Sequence, residues 1–440
     1  MSVSPPSLIS YIVPARLAQG LIIVLVTVLA LFADRAYAQD FRDTVSTAEA
    51  GAFENILLRT PMSAPSYRRE TLRRPDPEDP VPTPRAFNFG PVQLTPQLGL
   101  VSAYDSNIFA QENNAQGDLV TGATAQIAAS LPYKANALIL EGQANVGRYL
   151  EKDSQDFETH RLSARYTHRI RRNLNLVLGL SHRSDIETSG DVNQTRNRLE
   201  PVESQTLAGT LGVVLKRPAG WRIRAGLIGL QQRFDDARQL DGTQIVQRDR
   251  DRDSWGVRAE LAYALSPKTD IYINSRYFKN TFRRNNFVPG SGFTGLSNDN
   301  TNIEATAGIE YRPSPLWRVD IEAGVEEIDR EESAAADTTS IILLGQLEWR
   351  PRRTTRFLLG ALRDADNASG IDNNVTRTAI NMSFSHILTK EWSLNGSVGY
   401  GLEEFERGDR EDENFSFGLG FNYALNRFAV LALSGRNTII

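Results

Sequence analysis

Between Thr301 and Asp329 the chain alternates residue by residue, and that alternation limits its fold more than any other feature. Ile303, Ala305, Ala307, Ile309 and Tyr311 are apolar; Asn302, Glu304, Thr306, Gly308, Glu310 and Arg312 between them are polar or small. After Pro313-Ser314-Pro315 the pattern restarts, with Trp317, Val319, Ile321, Ala323 and Val325 set against Arg318, Asp320, Glu322, Gly324 and Glu326. A period of two sends successive side chains to opposite faces of a strand. The stretch reads as a hairpin with one apolar and one charged face, and prolines suit a turn that needs no ladder donors.

The same pattern recurs from Val92 to the C-terminus in about 17 runs of mostly 12–15 residues. The weakest is 355–364 and the last is 427–435. Strands of soluble sheets average about 5–6 residues. A tilted membrane strand needs about 9–11 in the hydrocarbon, with overhang at both ends. The connections alternate in length. Short ones fall at 131–134, 169–173, 217–220, 266–269, 312–315, 350–354, 388–391 and 424–427. Longer polar ones lie between them, including 105–117, 185–201, 235–251 and 284–300. Short turns on one rim and long loops on the other are the pattern of an up-and-down outer-membrane barrel.

Aromatic residues mark the rims. Trp221, Trp317 and Trp392 each follow a short turn and Trp349 precedes one, while Phe234, Trp255 and Phe405 lie at the long-loop ends. Trp and Tyr favour the headgroup level, where the ring is apolar and its tip is wet. A soluble sandwich also alternates, but long strands, loop asymmetry and aromatic belts together place lipid outside and water inside. The fold class read from the sequence is therefore all-β: a transmembrane antiparallel up-and-down barrel of about 16–18 strands with short periplasmic turns and longer extracellular loops.

The chain preceding Val92 is a different material. Residues 1–38 carry Arg16, an apolar core from Leu21 to Ala33 and an Ala36-Tyr37-Ala38 cleavage site, which read as a secretory signal; a retained transmembrane helix is the alternative. Residues 39–91 include the proline-rich, charged run Arg73–Arg85 and read as a largely disordered periplasmic segment. The barrel is expected over 92–440.

Composition narrows function further. The chain has 440 residues, a formal net charge of −4 and no cysteine. This excludes a thiolate zinc site and a cysteine nucleophile, and the charge balance speaks against a nucleic-acid partner. His160, His168, His182 and His386 are the four histidines. Alternation puts His160, His168 and His386 on the apolar face near its rims, where interfacial placement is the plain reading, and no nucleophile-elbow, P-loop or dinucleotide motif is present. No enzyme activity, cofactor or metal is expected. The polar face carries Arg161, Arg165, Arg169, Arg183, Arg222, Arg224 and Arg258 on its earlier strands. Glu304, Glu310, Asp320, Glu322, Glu326 and Glu348 follow on later ones. These are the candidate pore-lining residues. Two readings stand: opposed basic and acidic sectors with a field across the lumen, or Arg and Glu paired across strands in a filled barrel.

The opening strand, LTPQLGLVSAYDSNIFAQ from Leu94 to Gln111, resembles that of a family of Gram-negative outer-membrane β-barrel porins often found with exopolysaccharide or capsule export loci. Asp105-Ser106-Asn107 before an apolar pair carries most of the resemblance. It implies an outer-membrane conduit, in its finer form one for a secreted polysaccharide working with periplasmic export components. A closed structural or adhesive barrel acting through its outer loops is the alternative. Such barrels commonly end in a strand closing on Phe or Trp, which this chain lacks. Either a truncated C-terminus leaves an 18-strand barrel one short, or 355–364 is no strand and the count is 16.

Overall fold

The computed structural model describes residues 86–109, 114–187, 199–216, 220–284, 287–288, 292–293, 297–331, 337–367, 374–405, 411–426 and 429–439. The expected signal and nearly all of the proline-rich segment lie outside them, as do parts of the loops 185–201, 284–300, 330–337, 365–374 and 406–411.

One 18-stranded antiparallel sheet contains almost everything described. Its strands in chain order are β1 (Phe87–Phe89), β2 (Val92–Asp105), β3 (Asp118–Tyr133), β4 (Asn136–Tyr149), β5 (Phe157–Arg171), β6 (Leu174–Glu187), β7 (Val202–Lys216), β8 (Trp221–Phe234) and β9 (Arg252–Ser266). They continue as β10 (Thr269–Phe282), β11 (Asn300–Ser314), β12 (Trp317–Arg330), β13 (Thr338–Arg352), β14 (Thr355–Asn367), β15 (Asn374–Ile387), β16 (Trp392–Phe405), β17 (Glu411–Asn426) and β18 (Ala429–Ile439). Each strand pairs with its sequence neighbours, as at β11–β12, where Ile303 faces Glu327, Ala307 faces Ala323 and Tyr311 faces Val319. A 14-residue strand such as β12 is about 48 Å long at ~3.4 Å per residue. At a tilt of about 35–45° it crosses the hydrocarbon with room for both rims.

The run at 355–364 is a full strand, so the 16-strand count is set aside. The boundary at 92 also moves: β1 precedes it and pairs with Val92–Leu94 through a two-residue turn at Gly90-Pro91. Gly90 has φ +59°, the left-handed conformation a tight hairpin asks of glycine. In such a hairpin Phe89 and Val92 form the hydrogen-bonded pair, so Leu94 and Pro96 also aim their main chains at the β1 side. Pro96 has no N–H to give, and an edge is where a strand tolerates that. β2 stops at Asp105, where the connection 105–117 was expected to begin, because the Asp105 carboxylate accepts the Asn107 N–H at 2.9 Å and turns the chain. Ile108 and Phe109 then tuck in, 6% and 2% exposed. The Asp-Ser-Asn motif is thus a strand terminator followed by an anchor.

Burial is inverted relative to a soluble protein. Ile303, Ile321 and Val325 are 47%, 53% and 51% exposed, while Glu304, Glu322 and Glu326 on the opposite face are 4%, 6% and 2% exposed. Apolar outside and polar inside is what lipid requires of a barrel wall. Apolar cores are small: Val177 with Val214, and Val202 with Phe234 and Ala237.

Aromatic rings form the expected rim belts. At the short-turn rim Trp317 stacks on Trp349 at 5.1 Å, Trp349 on Phe357 at 5.1 Å, and Phe357 meets Phe384 at 6.2 Å. Trp221–Tyr263 and Trp392–Tyr423 continue it at 4.7 and 4.6 Å. Trp255–Tyr277 marks the opposite rim at 5.4 Å.

Candidate functional site

The inner face of β8–β14 is a wall of interlocked polar side chains, built by strand parity and fixed by register. Toward the long-loop end, Ser254 donates to Asn280 at 2.7 Å and Asn280 donates to Asn300 at 2.8 Å, one residue from each of β9, β10 and β11. Below them Arg276 bridges Glu304 at 2.7 Å and Glu326 at 3.3 Å, two carboxylates directly opposite one another. In the middle Asn274 donates to Glu322 at 2.9 Å, and the Thr306 hydroxyl donates to the same carboxylate oxygen. Toward the short turns the Tyr272 hydroxyl donates to Asp320 at 2.6 Å. Its ring covers Gly308, where a Cβ would overlap it, so glycine is needed for the ring to lie flat on the wall.

The register corrects the expectation of opposed sectors. Glu304 and Glu326 belong to Arg276; Glu310 takes Arg312 and Arg318, both at 2.6 Å; Glu348 takes Arg350 at 2.8 Å and Arg356 at 2.9 Å. Arg224 binds Glu260 at 2.8 Å, and Arg222 lies 3.5 Å from Glu260 and 3.6 Å from Asp270. The acidic side is therefore largely compensated locally, because Arg and Glu of like parity on adjacent strands meet by geometry. Asp320 and Glu322 differ in being held by the neutral donors just named. Arg258 lies opposite Arg276, 5% exposed. On β5 and β6 the basic side persists: Arg161 faces Arg183, Arg165 faces Gly179 and Arg169 faces Asn175. Arg183 also pairs with Asp185 at 2.6 Å.

Sequence reading placed Arg318 on the charged face but missed Arg276, Arg350 and Arg356 as members of the wall. Arg276 shares parity with Tyr272, which would have placed it on the inner face; its partner 50 residues away needs the register. Also missed was Arg377–Glu403 at 3.0 Å, both buried.

At the long-loop rim the segment 235–251 is folded and does not stand free. Ala237–Arg238 pairs with Gln244–Ile245, and a short 3₁₀ turn follows at Arg248–Arg250. Arg250 makes two bonds to Glu187, at 2.8 and 2.9 Å, and its guanidinium lies 3.9 Å from the centroid of the Phe234 ring. Glu187, Val202 and Phe234 all have inner parity, so the segment packs over the lumen side of the rim. Leu199 ties it to the neighbouring loop: its N–H donates to Arg238 O at 2.8 Å, and its carbonyl accepts from Gln155 at 2.7 Å.

His160, His168 and His386 lie on the outer face as expected, and His182 joins them there. His160 and His182 contact at 3.1 Å, His168 meets Asn136 at 2.9 Å, and His386 meets Thr355 at 2.8 Å.

No curated protein matches the chain by sequence. Solved structures that resemble it are outer-membrane proteins. They include the copper transporter OprC (13% identity, TM-score 0.43, covering 79% of this chain and 67% of that one). The FrpB iron transporter from Neisseria meningitidis (F3-3 variant) follows at 11%, 0.44, 78% and 62%. The siderophore receptor PiuA from Acinetobacter baumannii gives 10%, 0.46, 80% and 71%. At such identities and scores, copper, iron and siderophores belong to those proteins. The family match is of another order: it covers residues 83–440, the whole sheet and its lead-in. With the apolar exterior, polar interior and rim belts, it places the protein in the Gram-negative outer membrane, and the chain belongs to the family described as "Putative beta-barrel porin 2".

Proposed function

We propose that the protein is a pore that lets hydrophilic solutes cross the outer membrane through a water-filled lumen, without catalysing a reaction on them. The observation that carries this is the width of the sheet combined with its inner chemistry. Barrels of 16–18 strands are too wide for wall side chains to fill and leave an aqueous channel. Here 17 long strands, with the short β1 beside the first, present a polar inner face. The candidate pore-lining residues Arg161, Arg165, Arg169, Arg222, Arg224, Arg258, Glu304, Glu310, Asp320, Glu322, Glu326 and Glu348 line it. Asp320 and Glu322, held by neutral donors, add a local negative patch to a wall whose other carboxylates are paired. The segment 235–251 narrows the outer mouth.

The finer reading is passage of a secreted polysaccharide in partnership with periplasmic export components. What supports it is the resemblance carried by the opening strand, Leu94–Gln111; Asn274, Asn280, Asn300 and Thr306 are buried in the wall's own hydrogen bonds. Residues 1–38 would then serve as the secretion signal. A capped, closed barrel acting through its loops is the second reading, favoured by the Arg250–Glu187 clamp. Planar-bilayer recording of the purified protein separates them. The pore reading expects stable single-channel steps; a protein inserted in the bilayer that passes no current supports the capped barrel. A deletion strain that still exports its polysaccharide would remove the finer reading and leave the pore.

A further inference from the structure

The short-turn ends of β5, β6 and β7 enclose a cavity of about 220 Å³ lined by Arg169, Arg172, Asn173, Asn175 and Lys216. Register builds it: Arg169 lies opposite Asn175, and the Lys216 N–H donates to Asn173 O at 2.9 Å. Arg169, Asn175 and Lys216 share the parity of the buried Thr167, Val177 and Val214, so the cavity opens to the lumen at its periplasmic mouth.

Two observations define what it can hold. The described surroundings carry one sign of charge: residues 136–140, 165–176, 213–216 and 220–224 include Arg and Lys but neither Asp nor Glu. The inner carboxylates beyond β8, Glu260 and Asp270, are engaged by Arg222 and Arg224. Separately, the Asn175 side-chain oxygen is buried and accepts no hydrogen bond. A buried acceptor without a donor is costly and rare in folded proteins. Cations alone would call for any anion; the orphaned acceptor calls for an O–H on the same ligand. The volume is below the ~300 Å³ of pockets for drug-sized molecules, which leaves room for a single ring.

We propose that this cavity binds a hydroxylated anion of the sugar-acid class, its carboxylate on Arg169, Arg172 and Lys216 and a hydroxyl donating to Asn175 Oδ1. This rests on the inner face being open to water, though not on the barrel conducting. Calorimetric titration of the full chain in detergent micelles with glucuronate, glucose, acetate and inorganic phosphate tests it. Glucuronate should bind, glucose should not, and acetate and phosphate should bind more weakly. Arg172→Ala, in an exposed turn, and Lys216→Ala should each weaken glucuronate about tenfold, as removal of one charge-assisted bond would. Asn175→Leu should bring glucuronate down to the level of acetate and leave acetate unchanged. Absence of glucuronate binding, or affinity unmoved by Arg172→Ala and Lys216→Ala, overturns the site. Phosphate binding as tightly as glucuronate, with Asn175→Leu silent, overturns the sugar-acid assignment. Binding without channel steps in a bilayer would sink the pore reading and leave this one standing.

Discussion

Arg276 shows how much a single inner side chain holds together. Glu304 and Glu326 face each other across β11 and β12, 4% and 2% exposed, and the guanidinium from β10 reaches both. Arg276→Ala leaves two opposed carboxylates without it, and removing its charged hydrogen bonds should cost about 1.5–3 kcal/mol. Urea unfolding of the protein refolded in micelles measures this as a lower midpoint. Adding Glu304→Gln should restore part of that stability, since it removes the repulsion. Tyr272→Phe is milder: it takes the 2.6 Å donor from Asp320 and should cost about 0.5–1.5 kcal/mol. The sequence placed Glu304, Asp320 and Glu326 on one face, because parity is local, and the same parity was there to be read for Arg276 and Tyr272. It did not reveal partners, because Arg276 and Glu326 meet only once two ladders fix their registers.

At the scale of strands and loops, period two made the long strands legible nearly to their ends; the short turn expected at 217–220 falls between β7 and β8. β1 was not legible, being three residues long beside a proline-rich stretch. The segment 235–251 was read as a free outer loop because its composition is polar. Its fold depends on burying Ala237 against Val202 and Phe234 and on the Arg250–Glu187 pair, which join residues far apart in sequence. Glu187→Ala should loosen it at a cost of about 1.5–3 kcal/mol. Trypsin should then cut after Arg248 or Arg250 faster than in the unaltered protein, and single-channel conductance should rise. The short-turn belt is equally testable. Trp349 stacks between Trp317 and Phe357, and Trp349→Ala should cost about 0.5–1.5 kcal/mol for each of these two stacked rings. A lower midpoint in the same urea assay reports it.

For the whole molecule, strand count and direction set the closure problem. Eighteen strands less the three-residue β1 leaves 17 long ones, so β2 and β18 run the same way. Among the described residues no ladder joins them, and β1, running opposite to β2, occupies the start of the seam. The expected even count is therefore met only by including β1. The sequence showed an odd number of long runs but not what stood beside the first. The net charge of −4 concealed the inner wall altogether, since its arginines and carboxylates cancel in any sum over the chain.

The central claim is that the apolar face of every strand meets lipid and the polar face meets water. The chain has no cysteine, so single cysteines can be placed without background. The most direct measurement labels Asn414→Cys, Phe415→Cys, Ser416→Cys, Phe417→Cys, Leu419→Cys, Phe421→Cys and Asn422→Cys, one at a time, in protein inserted in liposomes, using a water-soluble, membrane-impermeant thiol reagent; the polar positions of this strand are only half-buried. The structure predicts labelling with period two, strong at 414, 416 and 422 and weak at 415, 417, 419 and 421. Strong labelling at Phe415→Cys and Leu419→Cys with none at Ser416→Cys, or uniform labelling throughout, would contradict it.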